Sequence, residues 1–168
     1  MKSKHWIVAI VPIVSIILDQ WTKGIIVDRF QLGESIPVLS SFFNITYVRN
    51  TGAAFGFMAT VDSSLRIPFF LIVPTIALLV IAYLFRKLPA HDVKTAWALS
   101  LVMGGAIGNL IDRVKYGYVV DFLDFHWKYQ AHFPAFNVAD SAICIGVGLL
   151  MLDIAGHEEK ERNVSSAA

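Results

Sequence analysis

Residues 133–152 read FPAFNVADSAICIGVGLLML, a run with a single charged residue, Asp140. Wound as a helix at about 1.5 Å per residue, such a run crosses the ~30 Å hydrocarbon core of a bilayer. A carboxylate inside it costs roughly 2.5–3.5 kcal/mol to insert, and groups of that cost are retained for a task. A second aspartate, Asp121 in Gly117-Tyr118-Val119-Val120-Asp121-Phe122, lies beside another apolar stretch. The two together point to acid/base chemistry at a membrane.

Three more apolar segments precede this one: His5 to Val27, Ile67 to Phe85 and Thr95 to Ile111. With Phe133 to Leu152 they predict four transmembrane helices, the third the shortest, in an all-α membrane protein with one polytopic domain over residues 1–168. Four crossings return both termini to one side. Lys2, Lys4, Arg86, Lys87, Lys94, Lys160 and Arg162 crowd the short segments of that side, while Arg29, Arg49, Arg113, Lys115 and Lys128 are spread through longer loops opposite. Basic residues favour the cytoplasm, so both termini are expected there. Lys2 and Lys4 ahead of the Trp6 to Leu18 run imitate a secretory leader. No small-x-small cleavage site follows, and a retained first helix is expected. Residues 157–168, charged and then rich in Ser and Ala, are expected to form a flexible cytoplasmic tail.

Bulk composition sets the solvent in the same way. The chain is 56% apolar and 16% charged, with a mean hydropathy of +0.61, values of a polytopic membrane protein. A net charge of +1 offers no basic field for nucleic acid, and the aromatic residues are not interleaved with Lys and Arg. Cys144 is the only cysteine, which excludes an intrachain disulfide and a thiolate metal cluster; its apolar setting predicts a small buried hydrophobe. No internal repeat is visible.

The connection over residues 28–64 is too long for a simple link and reads as a structured extracytoplasmic loop. Phe43, Ile45 and Tyr47 alternate with Asn44 and Thr46, a period near 2 that predicts a strand and a small sheet. The Asn50-Thr51-Gly52-Ala53-Ala54-Phe55-Gly56 run supplies small residues where a chain approaches a ligand closely, or simply turns beside a strand.

On a helix, Asn137, Asp140, Ser141 and Cys144 share one face, as do Gly105, Asn109, Asp112 and Arg113, and both faces are expected to look inward. Gly104 and Gly108 form a small-xxx-small pair that admits a neighbouring helix closely. Asp19 and Lys23 stand four apart in the order that suits a helical ion pair bracing the bundle. Asp121 and Asp140 are either tied up by Arg113, Lys115 or a neighbouring amide, or are a catalytic pair. Carboxylates ~4 Å apart at an effective dielectric of ~20 repel by ~4 kcal/mol, about 3 pKa units, so one holds a proton while the other is ionised. One would then activate water and the other protonate a leaving amine. Zinc chemistry fits less well: there is no His-Glu-x-x-His pattern, and His126 and His132 stand six apart in a loop. A serine mechanism lacks a histidine on the face of Ser141.

Five motifs occur in order: Leu18-Asp19-Gln20 with Lys23; Asn50-Thr51-Gly52-Ala53-Ala54-Phe55; Gly104 through Arg113; Val119-Val120-Asp121-Phe122; and Phe136-Asn137-Val138-Ala139-Asp140-Ser141. With four spans they resemble bacterial lipoprotein signal peptidase (signal peptidase II, prolipoprotein signal peptidase), over nearly the whole chain apart from the tail. The resemblance implies an aspartic intramembrane endopeptidase of the bacterial inner membrane. Its substrates would be prolipoproteins carrying diacylglycerol on a cysteine, cut immediately before that cysteine, and its inhibitor the cyclic peptide globomycin. Carried over by motif, Asp121 and Asp140 are the catalytic dyad, and Asn50, Asn109, Arg113 and Asn137 line the substrate site. Asp19, Lys23, Gly52 and Asp112 support it. A monomer embedded in membrane lipid, with no cofactor, no metal and no nucleic acid, and with its site toward the extracytoplasmic side, is expected. Two rivals carry other signs. A carrier or proton channel places carboxylates near the midplane, often in repeated halves, and an assembly factor would tolerate Asp→Asn changes.

Overall fold

The computed structural model describes residues 3–52, 58, 61–128 and 130–166; the Ala53 to Gly56 part of the small-residue run lies outside them. Four helices, α1 (Ser3–Arg29), α2 (Ser63–Lys87), α3 (Val93–Tyr116) and α4 (Val138–Ser166), are combined with strands β1 (Ser35–Leu39), β2 (Phe43–Asn50), β3 (Val119–Trp127) and β4 (Ala131–His132). The strands form one antiparallel sheet in the order β1-β2-β3-β4. The alternation over Phe43 to Tyr47 is therefore a strand, as expected. The sheet is larger than the sequence suggests, because the α3–α4 connection supplies its other half.

Capping chemistry sets the helix starts. Asp62 accepts from Ser64 N at 2.8 Å ahead of α2, and Asp92 accepts from Thr95 N at 3.1 Å ahead of α3. Gly117, at φ 77°, ends α3 in the left-handed region and turns the chain into β3.

Helices α1, α2 and α4 are long and apolar enough to cross a membrane, over residues 4–29, 63–87 and 138–156. Helix α3 is not among them. It runs 24 residues rather than the short span expected, and it carries the small and polar side chains of the bundle. The reason is its position: it packs on α1, α2 and α4 together, so little of it needs to be greasy. It runs parallel to α1, with Lys23 beside Asp112, and antiparallel to α4, with Thr95 bonded to Asp153. At Gly105 a Cβ would sit 2.3 Å from the Ala139 carbonyl oxygen, so the α3–α4 approach depends on the missing side chain.

The fourth apolar run is divided differently from the expectation. Phe133 to Asn137 are not helical; Phe136 bonds Leu123 of β3 through backbone groups in both directions, and α4 starts only at Val138. At its other end α4 continues to Ser166, through most of the segment expected to be a flexible tail. A buried cluster of Ile26, Tyr47, Val120 and Phe122 fastens the sheet to the end of α1. Asn44 is buried in that sheet and donates to Asp124 at 3.2 Å.

Candidate active site

Asp121 sits on β3, opposite Val48, where the ladder to β2 is irregular between Ile45 and Val48. Such a bulge re-aims neighbouring side chains. Asp140 lies in the first turn of α4, and Asn137 joins the two. The Asn137 Oδ1 accepts from Asp140 N at 2.9 Å, while an Asp140 oxygen accepts from Asn137 N at 3.3 Å, a reciprocal cap at the helix start. The other end of the same side chain, Nδ2, donates to Asp121 Oδ1 at 2.7 Å. Asn137 is wholly buried.

Each carboxylate receives a second amide. Asn50 Nδ2 donates to Asp121 Oδ2 at 2.9 Å, and Asn109 Nδ2 donates to Asp140 Oδ1 at 2.7 Å. The Asn50 side chain is itself fixed, since its oxygen accepts from Gly52 N at 3.0 Å. Arg113 donates to the Gly52 carbonyl at 3.2 Å, lies over the Phe70 ring, and is within electrostatic reach of Asp140, Asp121 and Asp112. Asp121 is 2% exposed. Burial, and next the negative charge of Asp140, push its carboxyl up to about 7 against the donations of Asn50 and Asn137.

Beneath this pair is a closed charge cluster. Lys23 bonds Asp19 at 2.9 Å and Asp112 at 3.0 Å, with all three residues buried. The remaining oxygen sites are occupied too: Ala139 N donates to Asp19 at 2.9 Å, Val120 N to Asp112 at 3.0 Å, and Gln20 Nε2 to both. Asp19, Lys23, Asp112 and Gln20 thereby tie α1, α3, β3 and the start of α4 together.

A cleft of about 410 Å³ opens beside Asp140, large enough for a peptide segment or a small ligand. It is lined by Asn50, Asn109 and Arg113 together with Phe133 to Phe136, Ser141, Ile143 and Cys144. Its walls are mainly apolar. Cys144 is exposed here rather than buried as expected. His126 and His132 lie on paired strands, not in a loop, and His132 bonds Asp124 at 2.8 Å. Among the described residues no group of three or more His, Cys, Asp or Glu could hold a metal ion.

The ten residues that the resemblance places in or around the site, Asp19, Lys23, Asn50, Gly52, Asn109, Asp112, Arg113, Asp121, Asn137 and Asp140, thus meet in one region, in two neighbouring sets. Sequence reasoning quoted Gln20 in a motif but missed its role: this side chain bridges Asp19 and Asp112 from a position off the face that Asp19 and Lys23 share on α1. It also missed the Phe133 to Phe136 wall, whose apolarity reads equally well as the start of a span.

Residues 11–155 match the family model described as Signal peptidase (SPase) II. The chain belongs to the signal peptidase II family. The lipoprotein signal peptidase of Geobacter sulfurreducens is 52% identical over 161 residues, 96% of this chain and 99% of its own. That of Syntrophotalea carbinolica is 52% identical over 146 residues, 87% of this chain and 89% of its own. Among solved structures, a bacterial membrane enzyme determined at 2.3 Å by the in meso method superposes with a TM-score of 0.81 at 37% identity, covering 91% of this chain and 90% of that one. The likeness to signal peptidase II thus extends over most of the chain in sequence and in fold.

Proposed function

We propose that this chain is an aspartic endopeptidase of the bacterial inner membrane that removes signal peptides from prolipoproteins, cutting before a cysteine that carries diacylglycerol. The observation that carries this reading is the Asp121–Asn137–Asp140 linkage beside an apolar cleft. One carboxylate takes a proton from water as its oxygen attacks the scissile carbonyl. The other gives a proton to the departing nitrogen as the C–N bond breaks, and the dyad regains its starting proton count. Asn50 and Arg113, at the cleft edge, hold the peptide through donated hydrogen bonds. The Phe133 to Phe136 wall and the apolar face of α4 suit acyl chains, and globomycin would compete for the same cleft.

Helix α3 is the fourth crossing in this reading: its 24 residues reach about 36 Å, and three apolar helices surround it. Both termini then face the cytoplasm by the distribution of basic residues, and the sheet and cleft face outward. The protein works as a monomer. The test is cleavage of a diacylglyceryl-modified precursor by the purified protein in detergent. Cleavage before the modified cysteine, unchanged by EDTA, is expected. A requirement for added zinc, or equal cleavage of unmodified precursor, would overturn the proposal.

A further inference from the structure

Among the described residues that line the cleft, Arg113 is the one cation, and it bonds no acid. It stands within electrostatic reach of Asp140, Asp121 and Asp112, and the fork of a guanidinium matches a carboxylate in geometry as well as in charge. Its hydrogen bonds go elsewhere. Nη2 donates to the Gly52 carbonyl at 3.2 Å and Nη1 to the Asn109 carbonyl at 3.4 Å, at or beyond the long end of the usual range and neither to a charged group. Two such bonds do not by themselves hold a cation away from three anions. The remaining partner is an aromatic ring: the guanidinium carbon lies over Phe70 of α2, 5.0 Å from the ring centroid and inside the ~6 Å reach of a cation–π attraction.

The ring itself is held. Phe70 is buried, Phe69 meets it edge-on at 5.2 Å and 87°, and Phe70 with Thr51, Arg66, Ile67, Arg113 and Gly117 encloses a void of only about 10 Å³, about one water's worth. Among the described residues, α2 lines neither the cleft nor an aspartate pair; it reaches the site at Arg113. Resting on the reading above in which Arg113 holds the peptide, we propose that Phe70 is a positioning residue: its ring covers one face of the Arg113 guanidinium and keeps the group turned to Gly52 and the cleft, off the neighbouring carboxylates. A ring face attracts a cation without taking the N–H donors in its plane, so those not spent on Gly52 and Asn109 are left for peptide carbonyls. A carboxylate in its place would consume them.

The test compares wild type with Phe70→Leu and Phe70→Met, which keep an apolar side chain but lose the ring face, and with Phe70→Tyr, which keeps it. KM for a diacylglyceryl-modified precursor is measured beside direct binding of the same precursor by fluorescence anisotropy, so variants that cleave slowly are still read. Each aliphatic variant should weaken binding and raise KM about fivefold with kcat within about twofold of wild type, and Phe70→Tyr should restore the wild-type values. Loosened packing alone would lower the thermal midpoint and the yield of active enzyme and leave KM where it is. In an Arg113→Ala background Phe70→Leu should weaken binding no further, because the ring acts through the guanidinium. Wild-type binding by both aliphatic variants, no recovery in Phe70→Tyr, or a loss that adds to that of Arg113→Ala would overturn the positioning role alone. Arg113→Ala that binds precursor as wild type does would overturn the peptide-holding role of Arg113 and this proposal with it. Wild-type protein that leaves the precursor uncut would overturn the whole reading on which both rest.

Discussion

Two pairs of aspartates lie side by side in this fold, three of the four buried and Asp140 half-buried, and they keep different company. Asp19 and Asp112 share a lysine. Asp121 and Asp140 share an asparagine, each has one more amide of its own, and no ammonium bonds either. In the first set a cation lies between two anions, and backbone amides with Gln20 fill the remaining acceptor sites. Nothing there has a reason to exchange a proton. In the second set the bonding partners are neutral amides, Arg113 stands within electrostatic reach, and a cleft opens beside Asp140; on the proposed aspartic reading one member of this set holds a proton. On the proposed reading, the partner, more than the carboxylate, separates a brace from a catalyst.

The strongest way to break this comparison is to neutralise the second pair. Asp121→Asn and Asp140→Asn are nearly isosteric and leave no new unpaired charge, so fold and precursor binding should survive in each. Cleavage should fall by about three orders of magnitude or more, and the double variant should be little worse than either single, because the two groups act as a unit. Either single variant cleaving near the wild-type rate would make the second pair a brace like the first.

The same treatment of the first set should act on stability instead. Lys23→Met leaves Asp19 and Asp112 buried without their cation and should cost about 3–5 kcal/mol, as removal of one partner from a buried ion pair does. Thermal unfolding in detergent would register it as a much lower midpoint. A midpoint equal to wild type would mean that the cluster is not what fastens α1 to α3.

The smallest effect, and the sharpest in sign, concerns pH. The Asp121 carboxyl rises from about 3.8 in an open chain to about 7 in the fold. The folded state therefore binds this proton more tightly, with no penalty below about pH 4, a penalty that grows between about pH 4 and 7, and the full penalty above about pH 7. Asp121→Asn should raise the unfolding midpoint more at about pH 8 than at about pH 4. A gain equal at both pH values would show that the Asp121 carboxyl is not raised by the fold.

How much of this was legible in the chain depended on whether the signal was local. The apolar runs announced the helices, and spacing by three and four put Asn137, Asp140 and Ser141 on one face and paired Asp19 with Lys23. That Asp112 completes that pair is a fact of α1–α3 packing, which no periodicity encodes. Strand β3 was invisible for a physical reason: Val119 to Phe122 are all buried, so the in-and-out alternation that revealed β2 is absent. Cys144 was misjudged because apolar neighbours along the chain do not say whether that helix face opens onto a cleft. The position of Asp121 opposite Asp140 came from motif resemblance and from the fold, since one residue is on a strand and the other on a helix.

If Asp121 and Asp140 are the catalytic pair proposed above, the reciprocal cap between Asn137 and Asp140 ties the birth of the helix to the birth of the activity. A newly inserted chain whose α4 has not yet closed its first turn has no Asn137 bridge to β3 and no Asp140 in place. Such a chain cannot cut anything. A hydrolase surrounded by other membrane proteins during its own assembly thus carries a safety catch made from the parts of its blade.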